Sequence, residues 1–241
     1  MNILAIDSSN KPLSIALIAE NKIQATKTIT TNKKHAEQLL PIIDDLMNVA
    51  NLKPNELNRI VVAKGPGSYT GIRIGVTAAK VLANTLNIDL VAVSSLETLV
   101  LNVQSDDTLV VPMFDVRNDN VFTGLYEKKN KKIINLIKDQ HINIDDWLEQ
   151  LKLKQAKIIF IGTDIINFKS KILDYIGDNA NFVNGIDNLP QASNLAFYGS
   201  DKEVVKNINE LTPDYLRLTK AEVDWKKTHP KEVNKKYVEK A

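Results

Sequence analysis

The chain has 241 residues, a formal net charge of +2, 44% hydrophobic and 25% charged side chains, values that suit one large globular domain or two lobes of roughly 100 residues each. This balance of charge announces no nucleic-acid surface, and the lack of cysteine excludes disulfides and thiolate metal sites. Asp7 interrupts the first apolar run too early for a signal-peptide core, and no run approaches the roughly 18 apolar residues that cross a bilayer, so a soluble, cytoplasmic protein is expected.

The segment "NILAIDSS" reads as a short buried strand, followed by alternating strands "PLSIALIAE" and "KIQATKTIT" joined by a turn at Glu20-Asn21-Lys22. "HAEQLLPIIDDLMNVAN" then carries a broad helical stripe at positions 36, 39, 40, 43, 46, 47 and 50. Strand "RIVVAK", a glycine loop, helix "TGIRIGVTAAKVLANTLN", strand "DLVAVSS" and helix "LETLVLNV" follow. Three meandering strands followed by alternating helices and strands predict an antiparallel meander beside parallel pairing.

After the polar break "QSDDT" the order begins again. "LVVPMFDV" resembles "NILAIDSS", "NVFTGLYEK" resembles "PLSIALIAE", and "KIINLIKD" supplies a third strand. Helix "IDDWLEQLK", strand "KIIFIGT", helix "IINFKSKILDYIG" and a helix near "QASNLAFYGSDK" complete the copy. The internal repeat predicts an N-terminal lobe over 1–103 and a C-terminal lobe over 104–218. A mildly basic tail, 219–241, remains; it reads as a solvated segment or as charge offered to a nucleic acid.

The loop "KGPGSYTGIRIG" holds four of the chain's nine glycines. It is not a Walker A loop, because no lysine follows Gly71 to neutralise phosphate charge. It is one residue longer than a dinucleotide loop, and the next strand ends in Ser94 and Ser95 where a ribose-binding acid would stand. Ser68 directly follows Gly67, so the loop is no nucleophile elbow. What it does open is a helix with Gly71, Gly75, Ala79 and Ala83 at i, i+4 spacing, a ridge of very small side chains. Such a ridge lets another element approach closely. Two readings stand open: a packing seam against the lobe's own sheet, or half of a four-helix bundle with another chain, formed with the stripe of the preceding helix.

Asp7 and Asp115 end the first strands of the two halves. Either could hold a hydrated cation at a cleft or cap the turn that follows. His35, His141 and His229 are too dispersed for a helical metal pair, and no metal site is expected.

The blocks "ILAIDSS", "HAEQLLPII", "GPGSYTGIRIG", "AVSSLETL", "DVRNDNVFTGLY" and "PDYLRLTKAE" resemble, in order, those of the bacterial TsaB (YeaZ) family, over Asn2 to about Glu222. The resemblance implies an α/β fold of two duplicated ribonuclease-H-like lobes of the actin/sugar kinase/Hsp70 type, with mixed five-stranded sheets flanked by helices. It implies a non-catalytic subunit of the machinery that makes N6-threonylcarbamoyladenosine at position 37 of ANN-decoding tRNAs. The implied partners are the paralogous catalytic subunit TsaD and the ATPase TsaE, with tRNA met through the complex and homodimers possible for the chain alone. No cofactor of its own is implied, ATP and metal belonging to the partner subunits. The partner-facing residues carried over are Ala36, Leu39, Leu40, Ile43, Leu46 and Met47 on the first helix, with Gly71, Gly75, Ala79 and Ala83 on the second. On that reading, Gly75→Leu leaves the fold intact and abolishes pairing. The alternatives are a stand-alone ATPase or glycoprotease-like metallopeptidase, and a homodimeric interaction protein. Asp7 and Asp115 are the candidates for a vestigial nucleotide cleft.

Overall fold

A computed structural model describes residues 1–30, 34–130 and 132–217; the tail read at 219–241 lies outside them. Strand β1 (Ile3–Asp7) is buried throughout, as is β2 (Pro12–Ala19), which requires cover on both faces of their sheet. β2 pairs antiparallel with β1 and with β3 (Lys22–Thr30), the latter through a turn whose Glu20 and Asn21 are left-handed (φ 51° and 58°). Helix α1 (His35–Val49) leads to β4 (Arg59–Ala63), parallel to β1. Helix α2 (Tyr69–Leu86) leads to β5 (Asp89–Val93), parallel to β4. Helix α3 (Ser95–Val100) follows at once.

The second half repeats this plan. β6 (Thr108–Asp115), β7 (Asn120–Lys129) and β8 (Lys132–Asn143) form the meander. Helix α4 (Ile144–Lys152), β9 (Ile158–Ile161), helix α5 (Lys169–Ile176) and β10 (Ala180–Phe182) complete the sheet, β9 being parallel to β6 and β10 to β9. Strand orders β3-β2-β1-β4-β5 and β8-β7-β6-β9-β10 are the same order in sequence-equivalent strands. These are two mixed five-stranded sheets flanked by helices, the duplicated lobes expected from the repeat. With three residues, β10 is too short to register as a periodic signal.

Helix packing crosses the boundary between 1–103 and 104–218. On one face of the first sheet, α1 and α2 cover Leu4, Ile6, Leu13, Ile15 and Leu17. The opposite face, with Ile3, Ala5, Ala16, Ile18, Val61 and Ala63, is covered by Ala192, Leu195 and Ala196 of helix α6 (Ala192–Gly199), from the far end of the chain. Conversely α3 packs Leu96, Leu99 and Val100 on the second sheet, against Val110, Phe114, Phe122 and Tyr126, while α4 and α5 cover its other face. Each half therefore lends the other a helix. The exchange is stapled by polar contacts: the Arg59 guanidinium donates to the carbonyls of Gly199 (3.2 Å) and Ser200 (2.5 Å) and to Asp89 (2.8 Å), placing a cation at the negative end of α6. The chain after α6 also returns to the first lobe, the amide of Val205 donating to Leu90 and that of Asp214 to Lys64 (both 2.8 Å).

Candidate functional site

The glycine loop is packed, not open. Gly65 adopts φ 108° and the Gly65–Pro66 peptide is cis. Its amide donates to Ser95 Oγ at 3.0 Å, and its carbonyl accepts from the Ser95 amide at 2.9 Å. Gly67 and Gly71 lie under the turn between β1 and β2: a methyl group on either would stand 2.0 Å from the Ser9 carbonyl oxygen or 2.2 Å from that of Ser8. Only a bare Cα permits this approach. The Ser68 amide donates to that Ser9 carbonyl at 2.7 Å, and Ser68 Oγ caps α2 by accepting from the Gly71 amide at 3.3 Å.

The small-residue ridge resolves the same way. Gly71, Gly75, Ala79 and Ala83 are all buried, and Leu39, Ile43, Leu46 and Met47 join Ala79 and Ala83 in the core of the first lobe. Of the ten residues assigned to a partner contact, only Ala36 and Leu40 are exposed. The ridge is the inward face of α2, and its small side chains let that helix lie on the β1–β2 turn. A leucine at Gly75 would meet Ser8 Oγ, 2.2 Å from the position of its Cβ, so that substitution requires Ser8 to move. The outward surface of the two helices is different. It carries Leu40 and Val81, each 57% exposed, with Ile74, Ala78 and Leu82 half-buried beside them.

Asp7 and Asp115 occupy equivalent places and perform equivalent local work. Asp7 Oδ1 accepts from the Ser9 amide (2.9 Å) and from Ser9 Oγ (2.6 Å). Asp115 Oδ1 accepts from the Arg117 amide (2.8 Å). Both cap the turn after the first strand of a lobe. Burial pushes the Asp7 carboxyl above its ordinary range, against the lowering effect of the Ser9 bonds and of His35. Asp164, in a 3₁₀ turn over Thr163–Asn167, bridges the two turns by accepting from the Asp115 amide (3.2 Å) and Asn10 Nδ2 (3.4 Å). His35 Nε2 is 2.9 Å from the Asn10 carbonyl oxygen, and His141 is half-buried with its ring edge-on to Phe122. His229 lies outside the described residues. Among those residues no three His, Cys, Asp or Glu side chains cluster as a metal site would require.

A cleft of about 470 Å³ opens between the lobes. One wall is the start of α2, with Ser68, Tyr69 and Ile72; another is the β6–β7 turn, with Asp115, Val116 and Arg117. The returning segment, with Asp214, Tyr215 and Arg217, closes it. Three of the sequence blocks quoted above, "GPGSYTGIRIG", "DVRNDNVFTGLY" and "PDYLRLTKAE", thus meet at one place. Tyr69, Arg117, Tyr215 and Arg217 carried no individual signal, because each is an exposed residue whose neighbours are about 50 to 150 positions away. The coincidence of the blocks was the only available pointer. A second inter-lobe contact lies on the other side of Leu216: Ser94, the N-cap of α3, and Tyr126 both donate to the Asp139 carboxylate of β8. Burial raises Asp139, and burial together with that carboxylate raises Tyr126 far beyond its usual value.

A family model described as TsaD, tRNA N6-adenosine threonylcarbamoyltransferase, matches residues 21–225. The chain is 44% identical over 225 residues to the tRNA threonylcarbamoyladenosine biosynthesis protein TsaB of Bacillus subtilis (strain 168), covering 93% of this chain and 98% of that protein. It is 28% identical over 135 residues to the TsaB of Escherichia coli (strain K12), covering 55% and 58%. YeaZ from Pseudomonas aeruginosa superposes with a TM-score of 0.72 at 24% identity, over 89% of this chain and 99% of that one. No helix among the described residues is long and apolar enough to cross a membrane.

Proposed function

Because this chain belongs to the TsaB (YeaZ) family of tRNA threonylcarbamoyladenosine biosynthesis proteins, we propose that within that pathway it is a non-catalytic scaffold, one that pairs with and activates the paralogous transferase TsaD. The observation that carries the reading is the end-to-end match to a protein of that name, 93% of one chain against 98% of the other. The match of a transferase family model to the same residues fits descent of scaffold and enzyme from one ancestor.

The local chemistry supports the scaffold half of the proposal. The residues that could have formed a nucleotide site are committed to packing: Gly67 and Gly71 to the β1–β2 turn, Asp7 and Asp115 to their Asx turns. On this reading ATP and catalytic metal reside on TsaD and TsaE, and the chain acts by shape. The surface offered to TsaD is the outward face of α1 and α2, with Leu40 and Val81 at its centre and Ala36 at its edge. This face mixes those apolar side chains with exposed Glu37, Asp44, Asp45, Arg73 and Thr77, and two adjacent helices can complete a four-helix bundle with two from a partner. The same face would carry the homodimer when the chain is alone.

Co-expression with the transferase tests the reading. The expected result is co-purification of the two chains, tRNA modification by the mixture, and no ATP turnover or peptide cleavage by this chain alone. Steady ATP hydrolysis by the purified chain, abolished by Asp7→Asn with the fold intact, overturns it in favour of an ATPase. Failure to pair with the transferase overturns the scaffold role.

A further inference from the structure

The inter-lobe cleft has a lining that scaffolding does not explain. Two tyrosine rings, Tyr69 and Tyr215, lie at its mouth with centroids 4.9 Å apart. They come from segments nearly 150 positions apart and remain 45% and 41% exposed. The Arg73 guanidinium lies 5.3 Å from the Tyr69 ring centre and donates to its hydroxyl at 3.2 Å. Arg117 and Arg217 are exposed on the lining. Arg117 sits in a turn whose three successive residues, Arg117, Asn118 and Asp119, are all left-handed (φ 69°, 53° and 54°). That costly conformation is held by Asp115, which accepts from the Arg117 amide, and by the Asn120 amide donating to the Arg117 carbonyl at 3.1 Å. Arg217 donates to the Val116 carbonyl at 3.3 Å, which fixes it beside Arg117.

The acidic groups of the cleft are already engaged. Asp214 pairs with Lys64 at 2.9 Å, and Asp115 accepts from the Arg117 amide and from Asn167 Nδ2 at 3.0 Å. Beneath the cleft the β1–β2 turn lies against Gly67, whose Cβ position is 2.0 Å from the Ser9 carbonyl oxygen. The outer end offers flat aromatic surface beside guanidinium groups, a combination that stacks a base and pairs with a backbone phosphate of single-stranded nucleic acid.

We propose that this cleft holds a nucleotide unit of single-stranded RNA, its base stacked on the Tyr69–Tyr215 pair and its flanking phosphates paired with Arg117 and Arg217. The assignment rests on the tRNA-modification reading for the choice of RNA, and it gives the scaffold a direct hold on the substrate of its partner.

The test is fluorescence anisotropy of a labelled single-stranded RNA oligonucleotide with the full chain, from about 50 to about 200 mM salt. Tyr215→Ala is expected to weaken binding about tenfold with the salt dependence unchanged, whereas Tyr215→Trp binds as well as the native chain and its indole emission is quenched on binding. Arg117→Ala and Arg217→Ala are each expected to weaken binding several-fold and to lower the log–log salt slope by about 0.7, the value for one phosphate of a single strand. Lys157→Ala, on the far side of the second lobe, is the control for unspecific charge. RNA that fails to bind, or that binds all variants equally, overturns the proposal. Binding of free ATP in preference to the oligonucleotide, lost in the same variants, also overturns it, making the cleft a mononucleotide site. Because this assay uses the chain alone, its failure leaves pairing with the transferase intact. Failure of that pairing in turn leaves the binding measurement unaffected.

Discussion

Gly75→Ala should change sign as a stability mutation depending on a single oxygen atom, Ser8 Oγ. In the native chain the substitution gains about 1 kcal/mol of helix propensity. The new methyl, however, would stand 2.2 Å from Ser8 Oγ, far inside van der Waals contact. Ser8 must then rotate and give up its 2.8 Å bond to the Gly71 carbonyl, a loss of about 0.5–1.5 kcal/mol. Residual overpacking adds about 1–3 kcal/mol, so the variant should be less stable than native by about 1–3 kcal/mol. In a Ser8→Ala background the obstructing atom is gone, and the nearest groups are the Cβ of residue 8 at 3.5 Å and Ile6 Cγ2 at 3.6 Å. Those are ordinary contacts, and Gly75→Ala should stabilise that background by about 0.5–1 kcal/mol. The cycle therefore carries a coupling of roughly 2 kcal/mol or more. Gly71→Ala is the control: its methyl would meet the Ser8 backbone oxygen at 2.2 Å, which Ser8→Ala leaves in place, so it should destabilise both backgrounds. Urea unfolding of the four proteins and the two controls measures this, and the thermal midpoints should move about 2–4 °C per kcal/mol. Additive effects of the Ser8 and Gly75 substitutions would refute the packing argument.

Leu40→Asp and Val81→Asp on the outward face should leave the thermal midpoint within about 2 °C of native and abolish co-purification with the transferase; retained pairing would move the interface off these helices. Asp7→Asn keeps the acceptor for Ser9 and removes a buried charge. Because the folded carboxyl is raised above its unfolded value, the native chain loses stability as pH rises from the unfolded value through the folded one. The advantage of Asp7→Asn should accordingly grow over that window and vanish in acid below it, as chemical denaturation at several pH values will show; an advantage that is constant with pH would contradict the assignment. Gly199→Ala would place a methyl 2.4 and 2.5 Å from the two Val61 methyls and should cost about 1–3 kcal/mol, relieved by Val61→Ala in the same unfolding assay.

Periodicity and the internal repeat made most of the fold legible, because the antiparallel meander and the alternating helices each write a pattern of two or of about 3.6 into the chain. The packing partners were not written there. Nothing in "LETLVLNV" says that Leu96 and Leu99 face Phe114 and Phe122 rather than their own preceding strands, and nothing in "QASNLAFYGSDK" says that Ala192 and Ala196 will lie on Ala5 and Ala16. The small-residue ridge was legible, but not what it faces. Spacing shows that Gly71, Gly75, Ala79 and Ala83 share a face, and small side chains suit a close approach from either side; only the position of the β1–β2 turn decides which. Asp7 and Asp115 were legible as equivalent, but the sequence left a cation site and a turn cap equally open; the bonds from the Ser9 and Arg117 amides are what identify the caps.

The reciprocal loan of α3 and α6 has a consequence for synthesis. When the ribosome has delivered β5, the first sheet has all five strands but one bare face, with Ile3, Ile18, Val61 and Val91 waiting for a helix encoded roughly 100 residues later. At about 5–20 residues per second that face stays uncovered for about 5–20 s. The nascent first lobe is thus a half-coated sheet, open to other apolar surfaces, until α6 emerges and closes it. Arrival of α6, rather than completion of the first sheet, is the event that covers this face.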